Sequence, residues 1–238
     1  MDEATNTLYI ENQADNTISV TDTTHCNATD VSACGQTWPA FAVGTDPQAL
    51  GFSPALHTLY IANGTDGTIS VVSTLHCTGS DTSGCTPVAT VPVGASPRAI
   101  GIVEDTNSVF VGNLLDLTVS VFDSSTCNGS NVSGCPQTPP PAFAVGAFPD
   151  TAGIGANLLS RSIVVDCNRH RLYIPVIGDS DLVEVDSDSC RAGHVEGCRP
   201  KVMNARMGNF AASAVLDDTT DTVYVANQND ATVSVVPR

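Results

Sequence analysis

The stretch TLYIANGTDGTISVVS, residues 58–73, recurs along the chain with little change. Each copy begins with an apolar run rich in β-branched and aromatic residues, passes through a turn that carries Asn or Asp, and ends in a second alternating run. Two such runs joined by a short turn are typical of a β-hairpin. The other copies align with it without gaps at residues 7–22, 108–123, 171–186 and 222–237. The repeat therefore predicts equivalent hairpins along the whole chain.

Short runs between the hairpins add further strands to each repeat. QALGFSP and RAIGIVED each precede a hairpin, and most of these runs follow a Val-Gly-x-x-Pro turn or a close relative of it. The copies start 50 or 51 residues apart, except for a spacing of 63 residues before the fourth. Four short strands in each such unit are typical of one blade of a β-propeller.

These motifs resemble the YVTN-type β-propeller repeat family of secreted and surface bacterial and archaeal proteins. The hairpins TLYIANGTDGTISVV and TVYVANQNDATVSVV carry the resemblance, together with the Val-Gly-x-x-Pro turns, and it extends over essentially the whole chain. It implies an all-β propeller in one domain, residues 1–238. It implies no particular activity, because one fold supports many functions. Val176 replaces the usual Asn in the fourth copy, and the cysteine loops described below are an elaboration that the minimal repeat lacks.

The resemblance also sets the phase of the blades. With strands lettered A to D from the channel outward, the chain starts at a B strand and stops at a C strand. We therefore expect about five four-stranded blades, the first lacking strand A and the last lacking strand D, either as a nearly closed ring or as part of a larger propeller. Such blades leave open strand edges, through which we expect protein binding or self-association.

Eight of the nine cysteines form four pairs with the spacing C-x7-C. Zinc sites usually combine C-x2-C or C-x4-C elements, and the small, polar, turn-forming residues between these cysteines favour a local disulfide in each loop. We expect the disulfides to staple surface loops that have no core of their own, in an oxidising, extracytoplasmic compartment. The start, MDEATNTLYI, lacks the features of a signal peptide. The pairs are Cys26 with Cys34, Cys77 with Cys85, Cys127 with Cys135, and Cys190 with Cys198.

The formal net charge of −16 opposes binding to nucleic acid or to an anionic membrane. No apolar run is long enough for a membrane span, so we expect no membrane insertion. An Asp recurs in each hairpin turn, but one carboxylate on each of several separate turns does not supply the converging oxygens that calcium requires. We expect these side chains to cap their own turns. We predict no metal and no cofactor. The turn residues are Asp15, Asp66, Asp116, Asp179 and Asp230.

One face of the propeller is the first candidate for binding. The resemblance places the turns between strands B and C, and the connections between blades, on the top face. The long spacing before the fourth copy adds the loop PDTAGIGANLLSR, residues 149–161, to that face. Enlarged loops often carry function; a tolerated surface insertion is the alternative. The candidate top-face binding residues are Asp46, Arg98, Asp150, Asn157, Arg161 and Asp179.

A second candidate surface lies on the opposite, bottom face, where the basic residues concentrate. Cys167 has no partner at the C-x7-C spacing and sits in the sequence VVDCNRHR. It is either buried as a small apolar residue or exposed, and in the second case Arg169 and Arg171 should lower its pKa. We therefore name Cys167, Arg169 and Arg171 as candidate residues for contact with an acidic partner.

We interpret the chain as a non-catalytic, extracytoplasmic binding or scaffolding module of a cell-surface or extracellular assembly. No Ser/His/Asp or Cys/His constellation can be assembled from the sequence pattern, so we name no catalytic residue. The alternative is an enzyme with its site at the top of the channel, which a resemblance to propeller lyases and lactonases would allow.

Overall fold

The computed structural model describes residues 1–145, 162–177, 180–203 and 207–238. Strands dominate it, with short 3-10 helices at Gln13–Asp15, Glu104–Thr106 and Val195–Gly197. The sequence analysis predicted this all-β character from the alternating apolar runs. In the described part of the chain, no helix is both long enough and apolar enough to cross a membrane.

The described residues form five antiparallel sheets that follow one another in chain order. Sheet 1 contains β1 (Thr7–Asn12), β2 (Thr17–Asp22) and β3 (Ala40–Ala42). Sheet 2 contains β4 (Pro47–Ser53), β5 (Thr58–Asn63), β6 (Thr68–Ser73) and β7 (Pro87–Pro92). Sheet 3 contains β8 (Pro97–Val103), β9 (Ser108–Asn113), β10 (Thr118–Asp123) and β11 (Ala142–Ala144). Sheet 4 contains β12 (Val164–Asp166), β13 (Arg171–Val176), β14 (Asp181–Asp186) and β15 (Lys201–Val202). Sheet 5 contains β16 (Ala211–Asp217), β17 (Thr222–Asn227) and β18 (Thr232–Pro237).

Sheets 2, 3 and 4 each have four strands that pair in sequence order. Sheet 1 lacks the first of these strands and sheet 5 lacks the last. In the four-stranded sheets the repeated hairpin supplies the two central strands; in sheet 2 these are β5 and β6, which pair from Thr58 with Ser73 to Asn63 with Thr68. Among the described residues, no further strand pairs with the outer edge of β1 or of β18.

The core lies between successive sheets. Because side chains alternate across a strand, each hairpin presents one set of side chains to the next sheet and another set to the preceding sheet. We call these the forward face and the backward face. In sheet 1 the forward face contains Tyr9, Ile18 and Val20, which pack against Leu59 and Ile61 on the backward face of sheet 2. The same arrangement recurs between sheets 2 and 3, between sheets 3 and 4, and between sheets 4 and 5.

The first strands of successive sheets lie side by side. β4 contacts β8, β8 contacts β12, and β12 contacts β16, so these strands converge where the sheets are closest together. The approach is tight at two glycines in equivalent positions. A Cβ atom on Gly51 would lie 2.4 Å from Cγ2 of Ile100, and one on Gly101 would lie 2.6 Å from Cγ2 of Ile163. This close packing explains why QALGFSP and RAIGIVED both carry a glycine at the same place.

Candidate functional site

Two of the predicted top-face residues line one shallow cavity. Asp46 and Arg98 border a volume of about 640 Å³ between the turns of sheets 2 and 3, together with Asp66 and Leu115. The Asp46 carboxylate accepts hydrogen bonds from the side-chain amides of Gln13 and Gln48, each at 2.5 Å. Arg98 Nε donates to Ser96 Oγ at 3.2 Å. The other predicted members, Asp150, Asn157, Arg161 and Asp179, lie outside the described residues.

The cavity combines two carboxylates, one guanidinium and an exposed leucine. Such a mixture binds by hydrogen bonds and charge pairing and contains no paired nucleophile and base among these residues. In the described part of the chain, no cluster of three or more His, Cys, Asp or Glu side chains is arranged to hold a metal ion.

The prediction for the recurring Asp of the hairpin turn was wrong in sheets 2 and 3, because its carboxylate bonds to a different segment of the backbone. Instead of capping its own turn, Asp66 accepts the backbone N–H of Thr45 at 2.7 Å. Asp116 accepts that of Ala95 at 2.6 Å in the next repeat. Thr45 and Ala95 both follow the glycine of a Val-Gly-x-x-Pro turn. Each carboxylate thus ties the turn between strands B and C to the connection that enters its own sheet.

The Asn at the end of each hairpin's first strand completes this clamp. Asn113 donates through Nδ2 to Thr118 Oγ1 at 3.0 Å and to Ser120 Oγ at 2.9 Å, and its Oδ1 accepts the N–H of Gly94 at 3.2 Å. Asn63 makes the same pair of side-chain bonds in sheet 2. Val176 occupies the equivalent position in sheet 4 and is buried, so this turn is built without the clamp.

Gly94→Ala should lower the free energy of unfolding by about 1–3 kcal/mol, because overpacking forces side chains and backbone to move. A Cβ atom there would lie 2.6 Å from Cγ of Asn113 and 2.6 Å from Oδ2 of Asp116. Urea unfolding measures the change. The matched control is Gly35→Ala, where a Cβ atom meets nothing within 4 Å and stability should stay almost constant. Equal effects of the two substitutions would contradict the clamp.

All four C-x7-C pairs are disulfides, as predicted: Cys26–Cys34, Cys77–Cys85, Cys127–Cys135 and Cys190–Cys198. The expectation that these loops have no core of their own was wrong for the last three. Cys127 and Cys135 are buried in the core between sheets 2 and 3, and Cys190 and Cys198 in the core between sheets 3 and 4. The loops are parts of the interfaces between sheets.

Two of these loops hydrogen-bond to the preceding sheet at the same two places, and the third does so at one of them. Tyr60 Oη donates to the carbonyl oxygen of Cys127 at 2.8 Å, and the N–H of Gly129 donates to Thr58 Oγ1 at 2.8 Å. The loop that begins at Cys77 makes the same two contacts with Tyr9 and Thr7 of sheet 1. In sheet 4 the N–H of Ala192 donates to Ser108 Oγ at 2.9 Å. A Thr-x-Tyr element therefore receives the disulfide loop of the following sheet.

On the opposite face, Cys167 is exposed in the turn between β12 and β13. Its two predicted cationic neighbours are paired elsewhere. Arg169 makes two hydrogen bonds to the carboxylate of Asp221, at 2.9 and 2.8 Å. Arg171 lies 2.8 Å from the Asp186 carboxylate. These pairs reduce the positive potential that the predicted contact surface offers to an acidic partner.

The predicted lowering of the Cys167 pKa is wrong. Partial burial of the thiol raises its pKa, and the carboxylates of Asp105, Asp166 and Asp218 raise it further. Burial and nearby negative charge both disfavour the thiolate. Asp105 and Asp218 belong to turns of the neighbouring sheets and are distant from Cys167 in sequence.

Cys167 should therefore react slowly with a neutral maleimide at pH 7, since the thiolate is the nucleophile and a raised pKa reduces its population. The rate should rise with pH through the ordinary titration range of a cysteine and level off only above that range. Asp105→Asn should speed the reaction at pH 7 by removing one of the charges that raise the pKa. A rate faster than that of free cysteine at pH 7 would contradict this assignment.

The forward face of sheet 5 has no sheet packed against it among the described residues. Its exposed valines, Val215, Val233 and Val235, are 61%, 59% and 62% accessible to solvent. They adjoin Tyr224, which pairs with both Val215 and Val235. In sheet 2 the equivalents of Tyr224, Val233 and Val235 are Tyr60, Ile69 and Val71, which are fully buried, and Gly51 stands in the place of Val215. The sequence predicted open strand edges but not this open apolar face.

Comparison with solved structures identifies the fold. The chain matches a protein from Lactobacillus plantarum with a TM-score of 0.72 and 17% sequence identity. It matches the periplasmic gluconolactonase of Pseudomonas aeruginosa with a TM-score of 0.70 and 15% identity. A dihydro-heme d1 dehydrogenase matches with a TM-score of 0.64 and 14% identity. The fold is a β-propeller. No family model matches the chain, and the search of curated proteins gives no match.

The propeller matches use the whole of this chain but only part of each neighbour. All 238 residues are covered in these three comparisons, against 65%, 64% and 42% of the respective neighbours. The chain thus spans less than two thirds of the length of each of these neighbours. At such low identity the matches show the fold alone.

Proposed function

We propose that this propeller is a non-catalytic binding or scaffolding module that works outside the cytoplasm through its open terminal sheets. One observation carries the proposal, the apolar forward face of sheet 5 with its exposed Val215, Val233 and Val235. Exposed apolar patches on an otherwise polar surface mark sites of protein contact. The net charge of −16 keeps the rest of the surface strongly acidic.

The four disulfides support the proposed location, because such bonds persist in oxidising compartments. The gluconolactonase to which the chain is similar is a periplasmic protein. The finer assignment to the YVTN-type repeat family is part of this proposal and rests on the repeated hairpins and the Val-Gly-x-x-Pro turns.

Sedimentation velocity of the purified chain over a concentration series tests the binding role. We expect reversible association that Val233→Asp combined with Val235→Asp abolishes. Val88→Asp is the matched control, since Val88 is also an exposed strand valine but lies on β7. A strict monomer at high concentration would count against the proposal.

Salt dependence separates the apolar face from the basic surface. Association through the valines should not weaken between low and physiological salt, because screening reduces the repulsion between chains that each carry a net charge of −16. Association that weakens with salt and with Arg169→Glu plus Arg171→Glu would instead assign binding to the surface around Cys167.

The second candidate, an enzyme at the top of the channel, is favoured by the cavity that contains Asp46, Asp66 and Arg98. Because the fold is shared with a gluconolactonase, a sugar lactone is the substrate to assay. Hydrolysis that disappears in Asp46→Asn but persists in Asp15→Asn would establish this activity. Equal rates with and without the protein would leave the cavity without a hydrolytic role.

A further inference from the structure

The interfaces inside the chain define what fits the exposed forward face of sheet 5. In sheet 2 the forward face contains Tyr60, Ile69 and Val71, and it is covered by Val109 and Val111 of sheet 3. The neighbouring disulfide, Cys127–Cys135, closes the same core. Branched aliphatic side chains and a disulfide loop together cover one Tyr/Ile/Val face.

The hairpin of sheet 5 repeats this acceptor position by position, while β16 carries Val215 where β4 has Gly51. The sequence TVYVAN of β17 matches TLYIAN of β5, so Thr222 and Tyr224 stand where Thr58 and Tyr60 receive the Cys127 loop. Val233 and Val235 of β18 stand where Ile69 and Val71 lie in β6. Thr222 and Tyr224 are half-buried, whereas Thr58 and Tyr60 are fully buried under the next sheet.

The outer edge of β18 in sheet 5 is also unpaired among the described residues. In sheets 1 and 3 the fourth-position strand reads AFA, and its Phe lies opposite Ile18 or Val119. The N–H of Val20 donates to the carbonyl of Pro39, and that of Val121 to Pro141, each at 2.9 Å. Val235 occupies the equivalent position in β18, for which the described residues provide no such strand.

Sheet 1 shows the complementary surface. Its disulfide loop, Cys26–Cys34, is not packed under a preceding sheet among the described residues, and Val31 within it is 70% exposed. Ile10, which matches the buried Ile61, is also exposed. The two ends of the chain are therefore the two different halves of one recurring interface.

We propose that the forward face of sheet 5 binds a further propeller sheet that carries a C-x7-C disulfide loop, a specification that rests on the proposed binding function. Tyr224 Oη donates to the carbonyl of the partner's first half-cystine. Thr222 Oγ1 accepts the N–H found two residues later. Branched aliphatic residues of the partner cover Val233 and Val235, a small residue lies against Val215, and a small-apolar-small strand pairs with β18. A second copy of this chain is one outcome of the test, because its sheet 1 has the required loop.

Partner size supports a sheet rather than a peptide. The chain covers 65% of one propeller neighbour and 64% of another, so about a third of each of those chains lies outside the part aligned here. A peptide that supplied only the outer strand would leave Val215 and Tyr224 uncovered, since both lie on the strands at the other side of β18.

The test extends the full chain with a copy of its own sheet. Arg238 is in register with Thr74, so a copy of residues 75–145 is joined after Arg238, which supplies an outer strand, a complete sheet and its disulfide loop. Val215 stands where Gly51 makes room for Ile100, so it is changed to Gly in both the extended and the parent chain. Hydrogen exchange of the Val233 and Val235 amides should slow by at least about tenfold relative to the parent chain, because the strand edge becomes paired.

Tyr224→Phe tests the proposed hydrogen bond, because it removes only the hydroxyl group that donates it. In the extended chain it should weaken the protection by a factor of about five, the worth of one buried hydrogen bond, while in the parent chain it should change almost nothing. Tyr224→Phe without effect in the extended chain would overturn the assigned contact. Failure of the added sheet to become ordered would overturn the proposal as well, because the same residues order on the forward face of sheet 2.

Different results would contradict the proposed binding function and the proposed partner sheet. Protection by the added sheet, with no association of the parent chain, would support the docking geometry and contradict the binding function. Association that requires Val233 and Val235, with no protection by the added sheet, would support the function and contradict this partner. Association abolished by changes at either end, Val233→Asp or Ile10→Asp, would identify a second copy as the partner.

Discussion

Replacing both Cys127 and Cys135 by alanine should lower the free energy of unfolding by roughly 4–5 kcal/mol, measured by urea unfolding under oxidising conditions. The lost cross-link accounts for roughly 2–3 kcal/mol on the chain-entropy model. The remainder, about 2 kcal/mol, comes from packing lost in the core between sheets 2 and 3, because large-to-small changes leave cavities.

The matched control is the pair Cys26→Ala with Cys34→Ala. Both disulfides have a sequence separation of 8, so the cross-linking contribution is the same. The Cys26 loop has no sheet packed against it among the described residues, and its removal should cost only the cross-link. Equal losses in the two double variants would contradict a structural role of the loops between sheets.

Asp166→Asn should cost about 3 kcal/mol, because it removes the buried carboxylate from a buried guanidinium whose other partners, Asp218 and Asp221, are exposed. The side chains of Asp166 and Arg238 are 0% and 1% exposed and form an ion pair. Asparagine preserves the volume and the oxygen that accepts the N–H of Arg169 at 3.0 Å, so the loss reports on charge.

An exposed ion pair nearby serves as the comparison. Arg169 and Asp221 form a pair whose side chains are 39% and 57% exposed. Arg169→Gln should cost no more than about 1 kcal/mol, the usual range for exposed pairs. Thermal or urea unfolding of the two variants distinguishes them, and similar losses would show that the Asp166 pair is not a buried stabilising contact.

The features that could be predicted from the sequence are those with a local period. The alternating apolar runs predicted an all-β propeller, and the comparisons confirm that fold. The identical spacing of the cysteines predicted the disulfides, which the structure confirms. Both inferences depend on residues within a few positions of one another, where turn and strand geometry limit the alternatives.

The features that escaped prediction depend on contacts between sheets. Nothing near Cys127 in sequence indicates that Tyr60, 67 residues away, donates a hydrogen bond to its carbonyl. The pKa of Cys167 responds to Asp105 and Asp218, which lie on turns of the two neighbouring sheets. A signal was present for the first case, since Thr-x-Tyr begins several hairpins at the end where the loops dock. The raised pKa of Cys167 could not be predicted without knowing how the sheets pack together.

The exposed sheet 5 face is the central claim, and hydrogen exchange of one amide in the unmodified chain tests it most directly. The N–H of Val121 donates to the carbonyl of Pro141 across the edge of β10, while Val235 occupies the same position in β18 without an outer strand among the described residues. In dilute solution, the Val235 amide should exchange at least about a hundredfold faster than that of Val121, as expected for an open edge. Equal protection of the two amides in dilute solution would contradict the account.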